Sequence, residues 1–148
     1  MDARKTRFID AAIRRFGFAG ERFRPEDCLV DLTISAESLF LSDAGETRER
    51  GEMRFRLSLR FGLFAELEGY TRVDAFRLMR NAYDARSALV HGGTIAEKEL
   101  KLRNTGGVPL PKFVEAVEDA LRRTLRKAIE TKPFDKNQLV DWDRLALG

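Results

Sequence analysis

The only histidine of the 148-residue chain, His91, lies five positions after Arg86 in the stretch RSALVHGG. An imidazole accepts and donates a proton near pH 7, and a guanidinium is suited to contact with phosphate. Together the two residue types could perform acid–base chemistry at a phosphate ester. A structural role is the alternative, since a histidine at a helix C-terminus interacts favourably with the helix dipole and Gly92 supplies a C-cap.

The spacing of apolar residues before this pair predicts a helix that Thr71 or its neighbour caps and that ends near His91. One apolar stripe is expected to face the core, and it consists of Ala75, Leu78, Ala82, Ala85 and Leu89. A second apolar stripe lies beside it and consists of Phe76, Met79, Tyr83 and Val90. The polar stripe on another side consists of Arg77, Arg80, Asp84, Ser87 and His91. Arg86 and His91 are about 140° apart on an ideal helix, so they converge only if the helix ends or loosens at His91.

Arg86 falls inside the apolar arc, where a buried guanidinium needs an acceptor. Glu37 is a similar exception within LTISAESLFL, on the side that Leu29, Val30 and Thr33 share. One hypothesis is an Arg86–Glu37 ion pair, in which case Glu37→Gln should destabilise the fold by a few kcal/mol. The other hypothesis is that Arg86 lines a groove or a subunit interface.

The rest of the chain predicts an all-α, up-and-down bundle of four long helices plus one or two short ones, because alternating strand patterns are absent. The other predicted helices span 2–18, 25–41, 46–68, 109–132 and 135–147. We expect a loop over 92–107 with some helical content around 95–102.

Composition predicts one globular domain over residues 1–148, which could also be a piece of a longer chain. The net charge of +3 does not by itself indicate nucleic acid, although twenty arginines outnumber seven lysines. A single cysteine, Cys28, offers neither an internal disulfide nor a zinc site. We therefore expect no metal, no cofactor and no membrane segment, and a cytoplasmic location.

The segments RFRPEDCLVDLTISAESLFL, DAGETRERGEMRFRLSLRFGLF and LMRNAYDARSALVHGG resemble, in this order, the Apea-like branch of the HEPN superfamily. That branch has an E-D-x-L-x-D-L entry, an E-x-L-F helix end, a following G-E and the motif Y-x-x-R-S-x-x-V-H-G. The resemblance covers about residues 8–93 and includes the R-x(4)-H motif. It implies an all-α domain that cleaves or binds RNA.

The resemblance implies a metal-independent endoribonuclease whose composite site forms in a homodimer, through the helix that carries the motif. Arg86 and His91 would then be catalytic, with Arg86 stabilising charge on the phosphate and His91 transferring protons. Asp84 could orient His91, and Ser87 could bind the phosphate or His91. Tyr83 and Glu37 would support the site.

Arg77, Arg80 and Arg54 are candidate RNA-binding residues. For the arginines of the third helix as a group, we favour a solvated face with pairs such as Glu52–Arg56 over an RNA track. The implied role is in stress response or phage defence, with an antitoxin or another regulatory protein as a candidate partner.

Two alternatives remain open at this point. The chain could be a non-catalytic HEPN module that binds RNA, a nucleotide or a protein, because many HEPN nucleases have Asn, Asp or His at the position of Ser87. It could also be a purely structural or regulatory helical dimer.

Overall fold

The computed structural model describes residues 7–44, 49–95, 100–102 and 106–148. These residues form an all-α helical bundle, as the sequence predicts. The helices are α1 (Arg7–Ala19), α2 (Pro25–Phe40), α3 (Arg50–Phe64), α4 (Arg72–Val90), α5 (Leu110–Glu130) and α6 (Trp142–Leu147).

The number of described helices is six, which agrees with the predicted four long helices plus one or two short ones. Several predicted bounds were wrong. The third helix ends at Phe64 rather than Glu68, and Glu66 takes a left-handed φ of 46° soon afterwards. The last helix begins at Trp142 rather than Asp135.

Other predictions fall partly outside the described residues. The expected helix starts at Asp2 and Glu46 lie there, as does half of the segment around 95–102. Where that segment is described, it is not helical, and Lys101 instead forms an isolated antiparallel bridge with Gly107.

Helix α2 lies at the centre of the bundle and packs against α1, α3, α4 and α5. Pro25 starts it in the first turn, where proline costs no hydrogen bond. Its buried residues include Leu32, Ala36 and Leu39 as well as hydroxyl groups. Thr33 donates to the carbonyls of its own helix and Ser35 donates to Ala12 of α1, so these buried polar groups are satisfied.

Two partly buried ion-pair clusters join segments that are distant in sequence. The carboxylate of Asp31 on α2 accepts from Arg15 at 3.3 Å and from Arg22 at 2.7 Å. The guanidinium of Arg60 on α3 donates to both oxygens of Asp43 and lies over the ring of Trp142.

The prediction that the arginines of α3 form a solvated face was wrong for Arg60, which is buried. The predicted Glu52–Arg56 pair is confirmed at 2.7 Å.

Helices α3 and α4 approach closely at Gly62. A Cβ built at this glycine would lie 2.9 Å from the carbonyl oxygen of Arg72 and 3.3 Å from Cβ of Phe76. The absence of a side chain at Gly62 thus sets how near α4 lies to α3.

We expect Gly62→Ala to destabilise the fold by about 1–3 kcal/mol, because the clash is with backbone and one of the two helices must move. The matched control is Gly51→Ala on the same helix, where a Cβ would meet nothing within 4 Å. That change should be neutral or stabilise by up to about 1 kcal/mol. Urea unfolding of both variants checks this, and equal stabilities would refute the close-packing account.

Candidate functional site

Both ends of α4 are fixed by local hydrogen bonds. At the N-terminus, the Thr71 hydroxyl accepts from the Asp74 amide and the Asp74 carboxylate accepts from the Thr71 amide, which is a capping box. At the C-terminus, Gly92 has a φ of +78° and donates to Leu89, while Gly93 donates to Ala88. This pairing is a Schellman motif, and it makes His91 the C-cap residue.

His91 is exposed at this helix end, and its backbone amide donates to the Ser87 carbonyl at 3.2 Å. The Ser87 side chain is half-buried one turn before it. The helix therefore ends at His91, as the sequence predicts, and the imidazole stands at the surface where a substrate could reach it.

Arg86 points in a different direction, toward α2. Its Nη2 atom lies 3.0 Å from Oε1 of Glu37, so the predicted ion pair is confirmed. The guanidinium carbon also lies 5.0 Å from the centre of the Tyr83 ring, which is a cation–π distance. The side chains of Arg86 and Glu37 are 18% and 25% exposed, so the pair lies just beneath the surface.

Burial of the Glu37 carboxylate and its attraction to Arg86 act in opposite directions, and burial has the larger effect. Burial raises the pKa of Glu37 above its usual value of 4.5, and the nearby charge and hydrogen bond of Arg86 offset only part of that effect. The Nε atom of Arg86 is buried, and it has no hydrogen-bond acceptor among the described residues. A buried donor without an acceptor costs free energy, so this N–H reduces the net stabilisation that the pair provides.

Two residues of the predicted core-facing stripes were misplaced. Val90 is 61% exposed, and Phe76 is half-buried with its ring against the exposed ring of Phe55. Leu89 is half-buried. Tyr83 is buried as expected.

Asp84 and Arg54 bind each other, which changes both of their expected roles. Arg54 Nε donates to one carboxylate oxygen of Asp84 at 2.6 Å and Arg54 Nη2 donates to the other at 2.8 Å. The carboxylate expected to orient His91 is therefore committed to α3. The guanidinium expected to bind RNA is likewise neutralised, and its hydrogen bond to Asp84 raises the pKa of Arg54.

Arg77 and Arg80 behave differently, because both line open space beside α4. One cavity of about 670 Å³ and a second of about 350 Å³ lie along this side of the helix, and Arg80, Asn81 and Lys101 line both of them. Asn81 and Lys101 were missed by sequence reasoning. The only signal in the sequence for Asn81 was its spacing of four residues from Arg77, which places both on one side of the helix. The sequence held no such signal for Lys101, because its position depends on the path of a loop.

In the part of the chain that the structure describes, no three His, Cys, Asp or Glu side chains are grouped so that they could hold a metal ion. Likewise, none of the described helices is long and apolar enough to cross a bilayer. Comparisons with protein-family models, curated proteins and solved structures find no significant match.

We expect the stability difference between the wild type and Glu37→Gln to shrink as the pH rises from 4 to 7. Because the pKa of Glu37 is raised in the folded state, the stabilisation that this residue contributes is complete below 4.5 and is lost as the pH rises through the raised value. Glutamine does not titrate, and its amide oxygen can still accept from Arg86. At pH 7 the cost should therefore be about 1 kcal/mol or less, smaller than for a fully buried pair.

Urea unfolding at several pH values measures this difference. A double-mutant cycle with Arg86→Met serves as the control, because it isolates the coupling between the two side chains. If the loss of unfolding free energy caused by Glu37→Gln grew with pH, the account would be contradicted. In that case, the attraction of the Glu37 carboxylate to Arg86 would outweigh the penalty of burying it.

Proposed function

We propose that the chain is a metal-independent endoribonuclease of the HEPN type that acts as a homodimer. The observation that carries the proposal is the end of α4, where an exposed imidazole follows a guanidinium that Glu37 and Tyr83 hold in place. The Arg86 side chain is 18% exposed, and a guanidinium is suited to contact with phosphate oxygens. Such an activity would serve stress response or phage defence, under control of an antitoxin or another regulatory protein.

The reaction is attack by the 2′-hydroxyl of RNA on the adjacent phosphorus. His91 of one protomer accepts the 2′-hydroxyl proton, the bond from 2′-oxygen to phosphorus forms, and the bond from phosphorus to 5′-oxygen breaks. The second protomer supplies another His91, or a water molecule acts instead, to protonate the 5′-oxygen. Arg86 stabilises the negative charge on the phosphate oxygens. The products are a 2′,3′-cyclic phosphate and a 5′-hydroxyl.

A dimer is required because Arg86 and His91 turn to different sides of α4 within one chain. An apolar patch on the outer face of α3 and α4, formed by Phe55, Leu59, Leu63, Val73 and Phe76, supports this requirement. Phe55 and Val73 are each more than half exposed, and this patch lines a small apolar hollow at Gly62. Val73 and His91 are eighteen residues apart, which is five whole helical turns, so they lie on one line along α4. A second copy that packs on the apolar patch and reaches the far end of this line would bring the two His91 side chains together, with Arg80 and Asp84 lying on the same side of α4 between the two ends.

A non-catalytic binding module is the second candidate function, and two contacts favour it. Arg86 is paired with Glu37, and Asp84 is paired with Arg54, so each has a structural role without any chemistry. In that case the motif would stabilise the bundle, and the chain would bind RNA, a nucleotide or a protein without cutting.

His91→Ala should abolish RNA cleavage while the fold and the oligomeric state persist. The imidazole is exposed at a helix end, so its removal opens no core cavity, whereas loss of a general acid–base costs about a hundredfold to ten-thousandfold in rate. The measurement is cleavage of total RNA in the presence of EDTA, with analysis of the product ends and a melting curve for each protein.

The control is Thr94→Ala, which truncates another exposed polar side chain three residues further on. If His91→Ala cut RNA as fast as wild type, or if EDTA stopped the wild type, the proposal would fail. A wild-type protein that binds RNA without cutting it would establish the binding module instead.

Val73→Glu should convert the homodimer to a monomer at micromolar concentration and reduce cleavage with it. Val73 is exposed in the isolated chain, so a charge there costs the fold little but must be desolvated in the proposed interface. Light scattering measures the mass. Ile129→Glu, an equally exposed β-branched residue on α5, is the control and should stay dimeric. A wild type that is monomeric, or two variants that behave alike, would contradict the proposed interface.

A further inference from the structure

The two cavities beside α4 share three lining residues, Arg80, Asn81 and Lys101. We call the two cavities together the α4 groove and define it by Arg77, Arg80, Asn81, Ala88, Ile95 and Lys101, which line one or both of them. One wall is the helix, and the described residues of the other wall include Ile95 and Lys101.

Among the described residues, the charge in this groove is positive. Arg77, Arg80 and Lys101 form no ion pair within the described ranges, and Arg80 lies over the ring of Phe76 at 5.9 Å. Two carboxylates also line the cavities. Asp84 accepts two hydrogen bonds from the Arg54 guanidinium, which balances its charge, whereas Asp74 accepts from the neutral Thr71 amide and keeps its charge. The described lining therefore carries three cations that form no ion pair and one carboxylate without a cationic partner.

The wider cavity is also partly apolar. Ala85, Ala88, Ile95 and Leu100 line it between the charged positions, and Asn81 adds an amide that can both donate and accept. A groove that alternates cations with apolar surface fits a chain that alternates phosphates with flat rings. An acidic peptide would use the cations but would leave the apolar surface without a matching partner.

The groove runs toward His91. Ala88 lies four residues after Asp84 and three before His91, and residues at these spacings share one side of a helix. A strand that follows the groove from Arg77 would thus reach the imidazole after about 21 Å, the rise of fourteen helical residues.

We infer that the α4 groove binds single-stranded RNA within one protomer and leads the strand to His91. Arg77, Arg80 and Lys101 contact successive phosphates, and unstacked bases lie on the apolar surface beside Asn81. A duplex does not fit this role, because its bases are stacked inside the helix and cannot reach that surface. The inference rests on the proposed function for its direction toward His91, but the binding itself does not require cleavage.

The experiment uses full-length protein with His91→Ala, so that the RNA stays intact. Fluorescence anisotropy follows binding of a labelled twelve-nucleotide oligouridine over a range of salt concentrations. Three phosphate contacts predict that log K falls against log salt with a slope of about −2, since single strands give about −0.7 per contact. Adding Lys101→Ala or Arg77→Ala should weaken binding several-fold and reduce the slope by about 0.7.

Lys136→Ala, which removes an exposed cation outside the groove, is the matched control and should leave both values unchanged. Melting curves confirm that each variant is folded. Unchanged binding in both groove variants would overturn the inference, as would equal affinity for a blunt RNA duplex or displacement by a polyglutamate peptide. If the groove variants lose binding but the wild type cuts no RNA, the groove inference is supported and the nuclease proposal is refuted. If the wild type cuts RNA and the groove variants bind normally, the nuclease proposal is supported and the groove inference is refuted.

Discussion

The contact between Arg86 and Glu37 determines how α4 is rotated against the centre of the bundle. Glu37 lies on α2, the helix that packs against four of the others, and the 3.0 Å ion pair turns the Arg86 side of α4 inward. Because residues on a helix keep fixed angles to one another, this one contact also sends His91 outward. Burial of the pair removes water from the Glu37 carboxylate, which costs free energy and raises the pKa of Glu37. We infer that the pair serves orientation more than stability.

That orientation leaves two surface features along α4. Near its N-terminus lie the exposed apolar residues of α3 and α4, which suit a second copy of the chain. Along the helix toward His91 lies the α4 groove, whose described residues include three cations that form no ion pair within the described ranges. The Schellman motif ends the helix at His91, and Gly92 makes this possible because it adopts a left-handed backbone without strain.

Sequence reasoning predicted what depends on periodicity and on local hydrogen bonds. The helical fold class, the limits of α4 and the Arg86–Glu37 pair all follow from apolar spacing, from a capping pattern or from a charge that interrupts an apolar arc. Contacts between segments far apart in sequence were not predictable in this way. The pairing of Arg54 with Asp84, the burial of Arg60 against Asp43 and the place of Lys101 in the groove depend on how helices and loops pack.

The central claim is that the ends of two α4 helices meet across a two-fold axis at His91, and cysteine cross-linking tests it most directly. In His91→Cys the two introduced thiols should oxidise to a disulfide-linked dimer. The native Cys28 should not react, because burial raises its pKa to about 11. Ile129→Cys, at an exposed position on α5 outside the proposed interface, should stay unlinked under the same mild oxidation. A covalent dimer from His91→Cys alone is the predicted result. Cross-linking at position 129 but not at position 91, or at neither position, would contradict the account.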